Sequence, residues 1–106
     1  MNNKYGTHKD PHGEEELAYN IANLLEGFRE LDYEETERNF SDLKFKAKME
    51  GVEKGIEGKL NDINQIIEKL KSSPTHLNGY KQDLTKLEES LLYVQGIFLD
   101  KYKHSA

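Results

Sequence analysis

The chain has 106 residues, a formal net charge of −5 and no cysteine. This length fits one domain, and the lack of cysteine excludes disulfides, thiolate metal sites and cysteine nucleophiles. No apolar run approaches the ~18–20 residues that a membrane span needs, and the N-terminus lacks the apolar stretch of a signal peptide. We therefore expect a cytoplasmic protein that does not enter a membrane.

Residues 1–13 contain Gly6, Pro11 and Gly13 and show no apolar periodicity. They are predicted to form a disordered tail. Residues 14–106 are predicted to form a single helical domain, because almost every later segment has the spacing of a helix and no run of alternating β-branched residues indicates a strand.

A first helix is predicted over about residues 14–31. Its apolar residues recur three or four positions apart, which places them on one face of a helix. Asp32 follows, with Glu35 three residues later, in an Asp form of the capping box. A second helix is therefore predicted to begin at Tyr33 after a tight turn. The apolar residues of the first helix are Leu17, Ile21, Leu24, Phe28 and Leu31.

Ser73 and Pro74 predict the start of a third helix, because serine is a favourable N-cap and proline fits the first helical position. This helix is predicted to reach about residue 103, and Asn78 with Gly79 would delay its start by one turn. The apolar residues on the two sides of the turn are mirror images, in pairs that begin with Leu70 and Leu77 and pass through Ile56 with Leu91 and Met49 with Phe98 to Phe45 with Tyr102. Two antiparallel helices joined by a short turn produce this pattern.

The predicted fold is therefore all-α: a long antiparallel helical hairpin, about 33–71 and 74–103, with the N-terminal helix packed at its base. Three glycines, from Gly51 to Gly58, argue for an alternative, because each costs about 1 kcal/mol relative to alanine in a helix interior. That alternative is a compact four-helix bundle broken near Gly51–Gly58.

The distal half of the predicted hairpin has only a narrow apolar stripe. An isolated two-helix arm buries little apolar surface against the entropy cost of ordering it. A homodimer is therefore predicted, with coiled-coil-like packing between copies. The residues predicted to mediate this self-association are Leu60, Ile63, Ile66, Ile67, Tyr80 and Leu84.

The sequence offers little for catalysis. His8 and His12 have the spacing of metal ligands on a helix, but Pro11 lies between them, and no histidine follows a glutamate by three positions. No nucleophile elbow and no glycine pattern for binding phosphate or a dinucleotide is present. We therefore expect no enzymatic activity, no cofactor and no metal, and the negative charge argues against nucleic-acid binding.

Acidic residues are concentrated between Glu14 and Glu37. This segment contains nine acidic residues and only one basic residue, Arg29. Many of them lie at helix N-termini, where the helix dipole favours acids. The negative charge of the segment would also attract a basic partner. The residues predicted to bind a partner are Tyr19, Asn23, Glu26, Glu30 and Glu34.

Two functions are consistent with these features. The first is a non-enzymatic protein–protein interaction module, that is, a small helical adaptor, chaperone or regulator that acts through helix packing. The second is an acidic inhibitor, of the kind found among immunity-type and phage-type proteins, which blocks a basic site on a partner protein.

Overall fold

The structure, a computed structural model, describes residues 11–72 and 79–104. Within these ranges every regular element is a helix, which confirms the predicted all-α class. The helices are α1 (Pro11–Arg29), α2 (Tyr33–Glu50), α3 (Glu53–Ser72) and α4 (Tyr80–His104). Helix α1 packs against α2 and α4, and α3 packs against the same two helices, so the four form a compact bundle.

The turn between α1 and α2 follows the predicted capping pattern. The Asp32 side chain accepts a hydrogen bond of 3.1 Å from the backbone N–H of Glu35, which confirms Asp32 as the N-cap of α2. Leu31 adopts the left-handed conformation, with φ of 57°, and its side chain packs against the core. The Asp32 N–H donates to the Gly27 carbonyl at 2.8 Å, closing a Schellman motif at the end of α1.

Helix α1 begins earlier than predicted. Its first residue is Pro11 rather than Glu14, so the last residues of the predicted tail are helical. Proline is well suited to a first turn, because its missing N–H has no partner there in any helix. The rest of the predicted tail, residues 1–10, lies outside the described residues, and so do Ser73 and Pro74 of the predicted third helix start.

The predicted continuous second helix is wrong, and the four-helix alternative is correct. Gly51 has a left-handed φ of 74°, and its N–H donates to the Lys48 carbonyl. The N–H of Val52 donates to the Ala47 carbonyl at 3.1 Å, and Val52 itself is buried. These bonds satisfy the free carbonyls at the end of α2 while the chain changes direction, which a glycine does at little steric cost.

Helices α3 and α4 pack antiparallel, as the predicted hairpin requires, whereas the pairing predicted for residues 45–49 with the end of α4 is wrong. Lys59 lies over the ring of Tyr93 at 5.3 Å, and Lys69 pairs with Asp83 at 2.9 Å. Met49, the predicted partner of Phe98, is 69% exposed instead of buried. The chain turns away at Gly51, so the last part of α2 does not continue along α4.

All four helices contribute side chains to one core. Helix α2 buries Phe40, Leu43 and Ala47, spaced three and four residues apart, which is a different face from the one that the hairpin prediction assigned to it. The largest fully buried side chains are Phe28, Phe40, Phe98, Leu17, Leu24, Leu43, Ile56, Ile63, Ile67, Leu70, Leu87 and Leu91.

The variant Gly51→Ala tests the helix break, because a break and a continuous helix predict opposite changes in the free energy of unfolding. Alanine in the left-handed region brings Cβ against the following carbonyl oxygen, so we expect the free energy of unfolding to fall by about 1–2 kcal/mol. A continuous helix through residue 51 would give the opposite result, a gain of about 1 kcal/mol. Gly58→Ala is the control, because no atom lies within 4 Å of the Cβ that it would add. Urea denaturation should show a higher free energy of unfolding for this variant.

Candidate functional site

A groove of about 580 Å³ runs along the outer surface between α1 and α2. Three large apolar side chains around it face solvent: Tyr19 is 71% exposed, Phe45 65% and Met49 69%. Single exposed apolar residues are ordinary on protein surfaces, whereas several around one concave feature are typical of an interaction site. The groove is lined by Glu16, Tyr19, Asn20, Asn23, Glu35, Arg38, Asn39, Asp42, Phe45, Lys46, Met49 and Glu50.

Two buried asparagines form part of the groove's lining and join its walls. The Asn20 side-chain amide donates to the backbone carbonyl and to the side-chain oxygen of Asn39, both at 3.1 Å. The Asn39 amide in turn donates to the Glu35 carbonyl at 2.9 Å. A buried polar contact of this kind favours one register of α1 against α2 over its alternatives. The two walls are therefore held in a defined position relative to each other.

The groove has more acidic than basic groups. Its two basic side chains are each paired with a groove carboxylate, Lys46 with Glu16 at 3.2 Å and Arg38 with Glu35. In the part of the chain that the structure describes, Asp42 and Glu50 have no basic side chain within ion-pair distance. The net field of the groove is negative, which favours a positively charged partner.

Beyond the groove, towards the α1–α2 turn, lies an acidic corner formed by Glu26, Glu30 and Asp32. A side-chain hydrogen bond with Glu26 raises the pKa of Glu30, and the negative charges of Glu26 and Asp32 raise it further. Arg29, the nearest basic residue in sequence, lies 3.3 Å from Glu88 of α4 and 4.0 Å from Glu26. Its charge is shared between two carboxylates, and the corner stays strongly acidic.

The structure separates the residues predicted to bind a partner into two groups. Tyr19 and Asn23 line the groove. Glu26 and Glu30 belong to the acidic corner. Glu26 lies on the same face of α1 as Asn23, three residues after it, and Glu30 directly follows the last residue of α1. Glu34 is exposed in the first turn of α2 but does not line the groove.

The predicted self-association face is part of the core. Leu60, Ile63, Ile66 and Ile67 are buried within one chain. Tyr80 and Leu84 are partly buried and pack against the same core. These side chains pack in or against the core of their own chain, which leaves little of their surface for a second copy. The prediction assumed a hairpin arm with no other helix beside it, and self-association through these residues stays a prediction.

Phe45 and Met49 are the groove residues that sequence reasoning assigned incorrectly. It placed both on the buried stripe of a long hairpin. The spacing of Phe40, Leu43 and Ala47 was the signal for a different buried face. A helix that buries this second stripe leaves residues 45 and 49 on its outer side.

Among the described residues, no group of three or more His, Asp or Glu side chains is placed to hold a metal ion. None of the helices in those ranges combines the length and apolarity needed to cross a membrane. No model of a protein family matches the chain, and comparisons with curated proteins and with solved structures found no match.

Proposed function

We propose that the protein is a non-enzymatic protein–protein interaction module, a small helical adaptor, chaperone or regulator, and that the α1–α2 groove is its recognition surface. The observation that carries this proposal is the exposure of Tyr19, Phe45 and Met49 around one groove. Aromatic side chains and methionine are enriched in interfaces, where a few such residues supply most of the binding energy.

The charge of the groove defines the chemistry of the partner. An amphipathic segment, with apolar side chains between Tyr19, Phe45 and Met49 and basic side chains near Asp42 and Glu50, complements it. The apolar contacts would supply most of the affinity. The charge pairs would orient the segment and speed its association, and salt would weaken them.

Selection of short peptides from a random library against the purified protein tests this proposal. We expect selected peptides to combine lysine or arginine with apolar residues three or four positions apart, as on one face of a helix. Phe45→Ser should weaken their binding at least tenfold, about 1.4 kcal/mol. Ala22→Ser is the control, because Ala22 is also an exposed apolar residue but does not line the groove.

The acidic corner supports a second candidate, an acidic inhibitor that blocks a basic site on a partner protein. The raised pKa of Glu30 reflects carboxylates crowded together beside one shared basic side chain, Arg29, and a surface of net negative charge suits a basic site. The double variant Glu26→Gln/Glu30→Gln separates the candidates. It should abolish binding by an inhibitor of this kind, whereas groove binding should lose far less than it does with Phe45→Ser.

A further inference from the structure

The outer face of α4 has an apolar stripe that the bundle covers only in part, with Lys59 of α3 over the ring of Tyr93. Leu92 is 67% exposed and Tyr93 49% exposed, and Leu99 is partly buried two turns further on. Gly96 lies between them and is also exposed. We call these four residues the α4 outer stripe. None of them lines the α1–α2 groove.

No feature of its own chain explains why residue 96 is a glycine. No atom lies within 4 Å of the position that a Cβ would occupy, and its φ is not in the left-handed region. A glycine in a helix interior is destabilising relative to alanine, so neither packing nor backbone conformation in the monomer accounts for it. A glycine on an exposed helix face does permit close approach of a second helix.

Two residue pairs placed symmetrically about Gly96 are complementary, one in charge and one in apolar character. Glu89 precedes Gly96 by as many residues as Lys103 follows it, and Tyr93 and Leu99 are likewise equidistant from it. Two antiparallel copies of α4 that cross at Gly96 would place Glu89 of each copy beside Lys103 of the other. The same arrangement would place Tyr93 of each copy beside Leu99 of the other.

We infer that the α4 outer stripe binds a second copy of this chain, in a two-fold symmetric dimer with Gly96 on the symmetry axis. A two-fold interface requires a patch that is complementary to itself, and this stripe has both the charge pattern and the apolar centre. The interface is independent of the proposed function, because it uses a different helix face and leaves the groove open.

A charge-swap series, measured by sedimentation equilibrium, tests the register of this dimer. Glu89→Lys should weaken dimerisation about tenfold or more, because each of the two ion pairs becomes a contact between like charges. Lys103→Glu should weaken it in the same way. The double variant Glu89→Lys/Lys103→Glu should restore it, since the exchanged charges pair again. A wild-type chain that stays monomeric at millimolar concentration, or a double variant no tighter than the single ones, would overturn the inference.

A single introduced cysteine gives a second, independent measurement. At a crossing between helices ~8–10 Å apart, the two facing Cα atoms would be about 3.4–5.4 Å apart, a range that overlaps the Cα–Cα distances of disulfides. The native chain has no cysteine, so Gly96→Cys should oxidise to one covalent dimer. Gly58→Cys is the matched control at an exposed helical glycine of α3, and it should oxidise much more slowly. Equal rates for the two variants would contradict the proposed axis.

Discussion

Phe28→Ala should lower the free energy of unfolding by about 3–5 kcal/mol, the usual range for removing a fully buried aromatic side chain. Phe28 has no exposed surface, and its ring stacks on that of Tyr80 with the centroids 5.5 Å apart and the planes 3° from parallel. The stack joins the end of α1 to the start of α4. Alanine would leave a cavity at this junction and remove the aromatic contact.

Urea denaturation followed by circular dichroism measures this effect, and Tyr19→Ala is its control. Tyr19 is an aromatic residue of the same helix but is 71% exposed, so its replacement should change stability by less than about 0.5 kcal/mol. Similar small losses for both variants would contradict the packing of α1 on α4.

Tyr80→Phe examines the other partner of the stack. It keeps the ring and removes only the hydrogen bond of 3.1 Å from the Tyr80 hydroxyl to the Arg29 carbonyl. We expect a loss of about 0.5–1.5 kcal/mol that does not depend on protein concentration. A concentration-dependent loss would instead support the original assignment of Tyr80 to a self-association face.

The features that sequence reasoning predicted correctly are those set by local interactions. The stripe from Leu17 to Phe28 has the period of a helix, and the structure buries it. Asp32 caps α2 because its carboxylate can reach an N–H three residues later, wherever the rest of the chain lies. The exposure of Tyr19 follows from the same stripe, since residue 19 lies on the opposite side of the helix.

The break at Gly51 depended on a balance that no local pattern decides. A helix through this position would be destabilised by the glycines but would continue the apolar stripe of α3. The bundle gains instead by burying Phe40, Leu43 and Ala47 against other helices. Comparing these free energies requires knowing which helices meet, which the mirror pattern alone misidentified.

The candidate groove was predictable only on one of its walls. The sequence pattern correctly placed Tyr19 and Asn23 on an outer face of α1. The exposure of Phe45 and Met49, in contrast, depends on where α2 ends and on which of its faces is buried. The Asn20–Asn39 contact joins residues that are 19 positions apart. Nothing in the sequence marks either asparagine as buried. Their contact becomes visible only when α1 packs on α2.

Gly27 of α1 lies in close contact with Thr36 of α2, and Gly27→Ala should therefore be destabilising although alanine favours helices. An added Cβ would lie 2.9 Å from the Thr36 hydroxyl oxygen and 3.0 Å from the Thr36 backbone nitrogen. Thr36 is fully buried, and both its N–H and its hydroxyl donate to the Asp32 carbonyl. A backbone atom in the first turn of α2 cannot move without shifting the whole helix.

We expect Gly27→Ala to lower the free energy of unfolding by about 1–3 kcal/mol, the range for overpacking a close contact. Gly58→Ala, measured in the same denaturation series, should raise it by about 1 kcal/mol. The two substitutions are chemically identical, so the difference between them isolates the contact with Thr36. Thr36→Ala in the Gly27→Ala background should recover only part of the loss, because the backbone nitrogen stays in place. If Gly27→Ala stabilised the protein as Gly58→Ala does, α1 and α2 would have to lie further apart, and the groove that they form would be wider and less defined.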